Sequence, residues 1–291
     1  MSYKVDNAII MAAGMSSRFA PISYEMPKAL ITVKGQVLIE RQITQLKNAG
    51  IKEIIIVTGY KKEQFEYLKH KFNVTIIENH DYELRNNNGS IYVARDYICN
   101  SYICSADNYF TYNPFETSVD ESYYSALFSH GATKEWCIQT DNEGFINQVT
   151  IGGSNSWYMM GHVFWSEEFS HKFLNILLQE YTLPSTQPKL WEHIFMEHLD
   201  VLKMKIRKYP DNAIYEFDSL DELRQFDSSY LENSHSATMK FICRKLQCPE
   251  SSVYSIEPLK EKNSTIGILF RYNSDIYSYR YHTNTMERIS R

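Results

Sequence analysis

Short apolar runs alternate with amphipathic stretches in the N-terminal part of the chain, and this alternation constrains the fold more than any other feature. Residues 7–14, 53–58 and 73–78 have the apolar content and length of buried strands, and glycines end the first two. The segments 36–49 and 61–72 between them space their apolar residues like one face of a helix. Strand–helix–strand–helix–strand order predicts a parallel sheet with helices on its faces.

The next part of the chain continues this α/β pattern, and the part after it has the pattern of antiparallel strands. Residues 101–106 indicate a fourth strand with Asp107 at its carboxyl end, and 123–165 looks more antiparallel. We therefore predict a Rossmann-like, mixed but mainly parallel sheet flanked by helices in a domain over 1–233. After the linker-like NSHSA, a small α+β appendage is expected over 236–291, with one helical stretch and two strand-like runs.

Composition narrows the class of protein. The net charge is −5, with 43% hydrophobic and 22% charged residues, which is ordinary for a globular chain and argues against a general nucleic-acid binder. No segment has the length of a membrane span or the pattern of a signal peptide. The cysteines form no C-x-x-C pair, so we expect reduced thiols and a cytoplasmic protein; they are Cys99, Cys104, Cys137, Cys243 and Cys248.

A glycine-containing loop follows the first strand and carries the first candidate site, AAGMSSRF, with PKAL downstream. Backbone N–H groups in such a loop can cradle phosphate, while Arg18 and Lys28 add positive charge for a triphosphate. The pattern is neither a P-loop nor a Rossmann G-x-G-x-x-G, which argues against kinases of the first type and dehydrogenases. An ordinary loop with solvated basic residues is the alternative. The candidate loop residues are Ala12, Ala13, Gly14, Met15 and Ser16.

Two aspartates are candidate metal ligands. Asp107 ends the fourth predicted strand, on the sheet edge where open parallel sheets bind ligands, and a carboxylate beside a polyphosphate commonly holds Mg²⁺. Its alternative role is a turn or helix cap. Asp218 precedes a helix predicted to begin near Leu220, and an N-cap role is favoured on local grounds.

Aromatic residues stand beside carboxylates at several places in the second half of the chain. Aromatic faces helped by negative charge bind quaternary ammonium groups, although each aromatic could equally pack in the core. The residues concerned are Trp136 with Glu135, Trp191 with Glu192, and Tyr215 with Glu216.

Taken together, these motifs resemble the sugar-nucleotidyltransferase superfamily and, within it, the bacterial CTP:phosphocholine cytidylyltransferases. The opening AIIMAAGMSSRFAPISYEMPKALI resembles the signature L-A-A-G-x-G-S-R-(x)n-P-K, with Ser16 in place of the second glycine. Further matches are VTGYKKEQFEYL, NNNGS followed by IYVARDY, SYICSADNYF, TKEW, LWEH and NAIYEFDSLDELR. The resemblance covers about residues 5–230, and it implies the nucleotide-diphospho-sugar transferase fold.

The resemblance implies a role for each candidate. The loop from Ala12 to Arg18 would hold CTP, Lys28 would contact phosphate, and Asn86 and Asn87 would lie near the nucleotide or a lid. Asp107 and Asp218 would bind Mg²⁺. The choline pocket would consist of Trp136, Trp191, Glu192, Tyr215 and Glu216.

The implied reaction joins CTP and phosphocholine, as small-molecule substrates, to give CDP-choline and pyrophosphate by Mg²⁺-assisted attack on the α-phosphorus. A cytidylyltransferase for 2-aminoethylphosphonate or another phosphate acceptor is the nearest alternative. A primary ammonium needs hydrogen-bond acceptors more than an aromatic cage, so the tryptophans favour choline. A non-catalytic nucleotide-binding regulator is a further alternative, and the retained acids and Lys28 speak against it.

The tail resembles a different family. LKEKNSTIGILFRYNSDIYSYRYHTNT is similar to the opening hairpin of choline-kinase-like small lobes, with Arg280 where that family places a basic residue against phosphate. No H-x-D-x-x-x-x-N catalytic loop follows, so kinase activity from this chain is not expected. The resemblance leaves two expectations open. Either the chain is part of a longer transferase–kinase fusion, or the tail is a docking or packing element. Since two strands alone are only marginally stable in water, such a tail should pack against the first domain or a partner.

Overall fold

Strands and short helices alternate along the chain in a computed structural model that describes residues 2–262 and 264–290. Residues 263 and 291 of the predicted tail lie outside this description. The strands are β1 (Tyr3–Lys4), β2 (Asn7–Ala12), β3 (Thr32–Val33), β4 (Gln36–Val37), β5 (Glu53–Thr58), β6 (Thr75–Glu78), β7 (Ser101–Ser105), β8 (Tyr109–Phe110), β9 (Ser118–Val119), β10 (Tyr123–Phe128), β11 (Ala132–Thr140), β12 (Ile146–Ser154), β13 (Trp157–Trp165), β14 (Lys205–Lys208), β15 (Ile214–Tyr215), β16 (Val253–Glu261), β17 (Ser264–Tyr272), β18 (Asp275–Arg280) and β19 (Thr285–Ser290).

The α-helices range from four to 14 residues in length, and several connections contain 3-10 turns. The α-helices are α1 (Ile22–Glu25), α2 (Leu38–Asn48), α3 (Tyr67–Phe72), α4 (Asn88–Ala94), α5 (Glu167–Glu180), α6 (Trp191–Glu197), α7 (Leu220–Phe226), α8 (Ser229–Glu232) and α9 (Ala237–Leu246). The 3-10 helices are Ser17–Phe19, Lys28–Leu30, Lys62–Phe65, Pro184–Thr186 and Glu250–Ser252.

Contacts divide the chain into two compact units. The first unit comprises Met1–Gly14 and Leu38–Glu216, and the second comprises Met15–Val37 and Phe217–Arg291. The boundary predicted at residues 233–236 therefore falls inside the second unit, because the C-terminal segment packs with residues 15–37 as well as with itself.

A nine-stranded mixed sheet organises the first unit. Strands β2, β5, β6 and β7 are parallel neighbours, as predicted from their apolar runs, with β2 between β5 and β7. Almost every residue of β2 and β5 is buried, as expected for a parallel strand covered on both faces. The prediction of an α/β sheet is confirmed.

The sheet becomes antiparallel beyond β7, where β13 pairs with it in the opposite direction. Strands β10, β11 and β12 complete this part, which lies within the region predicted to be antiparallel. Asp141 closes the turn between β11 and β12, since its Oδ1 accepts hydrogen bonds from the Glu143 and Phe145 N–H groups. The short strand β14 then runs parallel to β10, so the mixed topology is also confirmed.

An antiparallel meander ends the second unit, with strand order β16-β17-β18-β19. The two strand-like runs predicted in the tail correspond to β17 and β18, and the predicted helical stretch corresponds to α9. The pattern missed β16 and β19. Gly267 on β17 permits close packing of the meander, because a Cβ there would lie 1.9 Å from the Tyr279 carbonyl oxygen.

Membrane-spanning helices and disulfide bonds are both unexpected from the composition. No helix in the described part of the chain has the length and apolarity needed to cross a membrane. All five cysteines are free thiols.

Candidate active site

The glycine-containing loop leaves the end of β2 in the first unit. Ala12 and Ala13 are buried, and the Ala13 carbonyl accepts a hydrogen bond of 3.0 Å from the Tyr60 N–H. Gly14 is exposed, with no atom within 4 Å of the position that a Cβ would take. The open backbone around Gly14 is accessible to a ligand.

Ser16, which belongs to the second unit, has a left-handed backbone with φ 47° and ψ 46°. Its carbonyl accepts a hydrogen bond of 2.8 Å from the Phe19 N–H, which closes the turn. Glycine adopts this region without the steric cost that a Cβ brings. Ser16, which stands where the signature has a glycine, thus has a backbone conformation that glycine adopts readily, and the turn is closed with serine at this position.

Arg18 and Asp218, both predicted catalytic residues, form an ion pair within the second unit. Arg18 Nη1 lies 2.7 Å from Asp218 Oδ2, and the two side chains are 73% and 43% exposed. Exposed pairs contribute at most about 1 kcal/mol to stability, so this one can open at little cost. Both groups can therefore exchange their mutual contact for contacts to a ligand.

The helix-capping role considered for Asp218 is wrong. The N-cap of α7 is Ser219, whose Oγ accepts a hydrogen bond of 3.2 Å from the Glu222 N–H. Glu222 in return accepts a hydrogen bond of 2.7 Å from the Asp218 N–H, so only the backbone of Asp218 takes part in the cap. The partly exposed Asp218 carboxylate offers the oxygen donors that a hard cation such as Mg²⁺ prefers.

Lys28 and Asp107 are less accessible than Arg18. Lys28 is 5% exposed at the start of a 3-10 helix in the second unit, with Nζ 5.8 Å from the centre of the Phe19 ring. Asp107 is half-buried in a turn between β7 and β8 of the first unit. No helix begins there, so the helix-cap alternative for Asp107 is wrong, and its turn position agrees with the other alternative. Its magnesium role stays a prediction.

Trp191 belongs to the aromatic core of the first unit. It is 1% exposed, and its indole lies edge-on to Trp165 at 5.1 Å and stacks on Tyr124 at 5.7 Å. Trp136 on β11 is only half-buried and packs edge-on against His193 of α6, with ring centres 4.8 Å apart. Of the two predicted pocket tryptophans, Trp136 is the one that retains exposed ring surface.

Glu192 is held by two side chains in the first unit. Asn87 Nδ2 donates to its Oε2 at 3.0 Å, and the Tyr124 hydroxyl donates to its Oε1 at 3.3 Å. Burial raises the pKa of Glu192 to about 7, against the lowering effect of these hydrogen bonds. This carboxyl group therefore changes its charge close to neutral pH.

Asn87 was predicted near the nucleotide, and the structure shows what its amide contacts in the first unit. Its Oδ1 accepts a hydrogen bond of 2.7 Å from the backbone N–H of Trp191, while its Nδ2 donates to Glu192 Oε2. Asn86 and Asn88 bind the same connection, since both donate to backbone carbonyls in residues 186–189. The three asparagines thus fix the start of α6, which carries Trp191 and Glu192.

Tyr215 and Glu216 follow on the short strand β15 and the residue after it. Tyr215 pairs with Tyr109 of β8, and the exposed Glu216 accepts a hydrogen bond of 3.3 Å from Asn108 Nδ2. Burial raises the pKa of the Tyr124 hydroxyl well above its ordinary value, and the negative charges of Glu192 and Glu216 raise it further. The charges of Glu192 and Glu216, both predicted pocket residues, thus act on the same hydroxyl group of Tyr124.

Tyr124 and His193 were missed by sequence reasoning. Tyr124 lies in the apolar run of β10, where alternation indicates only a core residue, and it is 7% exposed. His193 follows Glu192 in the LWEH motif, so that motif was the available signal. Their proximity to Glu192 and Trp136 depends on how α6 packs on the sheet.

Comparisons with known proteins show the class to which this mixed sheet and its glycine-containing loop belong. Residues 8–113 match the model of the MobA-like NTP transferase domain. The chain is 36% identical to the choline-phosphate cytidylyltransferase of Haemophilus influenzae over 74% of this chain and 94% of that protein. It is 34% identical to a 2-aminoethylphosphonate cytidylyltransferase of Lancefieldella rimae over 77% of this chain and 93% of that protein.

A solved structure gives the same result. CTP:phosphocholine cytidylyltransferase from Streptococcus pneumoniae superposes with a TM-score of 0.74 and 31% identity, over 78% of this chain and 99% of that chain. The chain belongs to the choline-phosphate cytidylyltransferase family, and it is a nucleotidyltransferase.

Proposed function

We propose that the protein makes CDP-choline and pyrophosphate from CTP and phosphocholine. The observation that carries this proposal is the match at 36% identity across 94% of a choline-phosphate cytidylyltransferase. The half-buried Trp136 and the acids Glu192 and Glu216 support it, because an aromatic face near negative charge suits a quaternary ammonium group.

The chemistry is a single in-line displacement at phosphorus. A phosphate oxygen of phosphocholine forms a bond to the α-phosphorus of CTP, and the bond from that phosphorus to the bridging oxygen of the β-phosphate breaks. Pyrophosphate leaves with the electron pair of that bond. No covalent enzyme intermediate is needed, so positioning and charge neutralisation supply the rate enhancement.

On this proposal, the nucleotide is bound by the loop and its basic residues. The backbone of Ala12–Ser16 offers N–H groups to phosphate, and Arg18 and Lys28 offset its charge. Asp107 and Asp218 are the proposed ligands of Mg²⁺, which when bound neutralises phosphate charge and orients the triphosphate.

The acceptor is bound, on this proposal, by one face of the first unit. Trp136 and Tyr215 supply aromatic surface, and Glu192 and Glu216 supply negative charge. Trp191 has a supporting role on this proposal, since its ring lies in the core and its backbone N–H donates to Asn87 at the start of α6.

We expect pyrophosphate release from CTP and Mg²⁺ to depend on phosphocholine. An assay with phosphocholine, 2-aminoethylphosphonate and a sugar 1-phosphate in parallel measures the acceptor preference as kcat/KM. The aromatic surface should favour the quaternary ammonium at least tenfold over the primary one, which is about 1.4 kcal/mol. Release supported only by 2-aminoethylphosphonate or by the sugar phosphate would overturn the assignment of the acceptor.

Glu192 should make phosphocholine binding depend on pH. Because its pKa is about 7, the carboxylate is mostly protonated at pH 6 and mostly charged at pH 8, so KM for phosphocholine should fall across this interval. Glu192→Gln should bind phosphocholine weakly at pH 8, where the wild type gains most from the charge. The matched variant Glu197→Gln, on the exposed end of the same helix, controls for loss of a nearby negative charge and should keep the pH dependence of the wild type. Parallel pH profiles for the wild type and Glu192→Gln would contradict this role.

Stability gives an independent measurement of the same group. A carboxyl whose pKa is raised on folding stabilises the protein least at high pH, because the unfolded chain loses its proton first. Glu192→Gln removes this charge, so it should raise the free energy of unfolding at pH 8, and the gain should diminish toward pH 5. Denaturant unfolding of the wild type and of Glu192→Gln at both pH values measures the difference. If Glu192→Gln stabilises the fold and also weakens phosphocholine binding, Glu192 serves binding and not stability.

The cellular setting and partners are also part of the proposal. The five free cysteines support a reducing, cytoplasmic compartment. A fused or associated choline-kinase-like domain is proposed from the sequence of the tail.

A further inference from the structure

The second unit joins two parts of the sequence that lie far apart. We call residues 15–37 the signature segment, because it carries Met15, Ser16, Arg18 and Lys28, and residues 217–290 the C-terminal segment. The Glu25 carboxylate accepts hydrogen bonds from Ser236 Oγ at 2.7 Å, the Ala237 N–H at 2.8 Å and the Thr238 N–H at 2.9 Å. One side chain of the signature segment thus satisfies N–H groups at the start of α9.

A stacked tyrosine pair forms a second connection between the same two segments. The rings of Tyr24 and Tyr281 lie 3.7 Å apart between centres, with an angle of 10° between their planes. Tyr281 is 7% exposed, while Tyr24 is 39% exposed. Tyr24 is adjacent to Glu25 on α1, so both connections hold the same short helix.

Further contacts hold the end of the signature segment. The Tyr230 hydroxyl donates to the Thr32 carbonyl at 2.6 Å, and the Lys34 N–H donates to Asp227 Oδ2 at 2.7 Å. Lys34 Nζ lies 5.2 Å from the centre of the Phe226 ring. The C-terminal segment therefore contacts the signature segment along much of its length.

The signature segment has little regular structure that could hold it without these contacts. It contains two three-residue 3-10 helices, one four-residue α-helix and two two-residue strands. Helices of this length are not stable by themselves in water, because few internal hydrogen bonds offset the cost of ordering the backbone. Its conformation must therefore be set by what packs against it, and within this unit that is the C-terminal segment.

We propose that the C-terminal segment positions the nucleotide-binding residues, acting through Glu25 and Tyr24 on α1 to hold Arg18 and Lys28 in place. Both basic residues lie within seven positions of Glu25 in the chain, one on each side. Glu25, Tyr24 and Tyr281 are positioning residues, and none of them needs to touch a substrate. This inference rests on the proposed function, since it assigns the positioned residues to CTP.

Glu25→Gln and Glu250→Gln are a matched pair for the test in the full chain. Glu250 is 7% exposed, and its Oε2 accepts a hydrogen bond of 2.7 Å from the Ser234 N–H. Each substitution removes a negative charge that accepts backbone N–H groups, but Glu250 contacts only the C-terminal segment through this bond. Glu25→Gln should raise KM for CTP about tenfold with less than a twofold change in KM for phosphocholine. Glu250→Gln should leave both KM values within twofold of the wild type.

Tyr24 gives a second test with little risk to folding, because its side chain is partly exposed. Tyr24→Ala should raise KM for CTP severalfold, and Tyr24→Phe, which keeps the stacked ring, should restore it. Hydrogen exchange gives a readout that does not need activity. Peptides within residues 15–37 should exchange faster in Glu25→Gln and Tyr24→Ala than in the wild type or Glu250→Gln.

The outcomes separate this inference from the proposed function. A wild-type protein that makes no CDP-choline contradicts the proposed function, and exchange in residues 15–37 then decides the inference alone. An active wild type whose Glu25→Gln and Tyr24→Ala variants keep normal KM for CTP and normal exchange overturns the inference. Equal effects of Glu25→Gln on both substrates, or equal effects of Glu25→Gln and Glu250→Gln, overturn it as well.

Discussion

Replacing Asp107 or Asp218 with asparagine should lower kcat about a thousandfold. Both are proposed to hold Mg²⁺ through carboxylate oxygens, and an amide offers one neutral oxygen in place of a charged pair. A loss of metal-assisted charge neutralisation of about 4 kcal/mol corresponds to this factor. Steady-state pyrophosphate release, measured at saturating CTP and phosphocholine over a range of Mg²⁺ concentrations, checks the prediction.

The stability of these variants separates chemistry from folding. The Arg18–Asp218 pair is exposed, so removing its charge should change the free energy of unfolding by less than about 1 kcal/mol. Asp96→Asn and Asp211→Asn are matched controls, because both side chains are more than half exposed and lie beside a basic group. Turnover close to normal in Asp107→Asn or Asp218→Asn would show that the aspartate concerned does not bind the catalytic metal.

Trp136→Ala should raise KM for phosphocholine about tenfold or more and leave KM for CTP within twofold. The half-buried indole is the more accessible of the two predicted pocket tryptophans, and an aromatic face contributes about 1–2 kcal/mol to binding a desolvated cation. Initial rates with each substrate varied in turn measure the two constants. Trp136→Phe, which keeps an aromatic face, should recover part of the loss.

Trp157→Ala is the matched control for Trp136. Trp157 is also half-buried in the first unit, where it packs edge-on against Phe128 at 5.3 Å and lies 4.9 Å from Lys208 Nζ. Trp157 is not among the residues proposed for the pocket, and like Trp136 it packs against the core of the first unit, so its loss tests the effect of lost aromatic packing. Equal changes in both KM values of Trp136→Ala, or similar kinetics in Trp157→Ala, would assign Trp136 to folding.

The buried tryptophan shows where the motif and the structure differ. LWEH predicts a pocket residue at Trp191, yet its ring contacts Trp165 and Tyr124 in the core. A large apolar side chain beside a carboxylate has the same local pattern in either setting, so the sequence could not separate the two. The packing of α6 on the sheet decides that Trp191 is buried while Glu192 keeps polar contacts.

The α/β class, the parallel strands and two strands of the tail could be predicted from the order of the amino acids, because runs and periods of apolar residues report which face of a local element is buried. The motifs also predicted which side chains carry the chemistry, and those roles stay predictions. Three further features became visible in the folded chain alone: Glu25 binds the start of a helix 211 residues further along, Asn87 fixes α6, and residues 15–37 pack with the C-terminal segment. Such partners are chosen by packing and hydrogen bonding across the fold, and no local pattern records them.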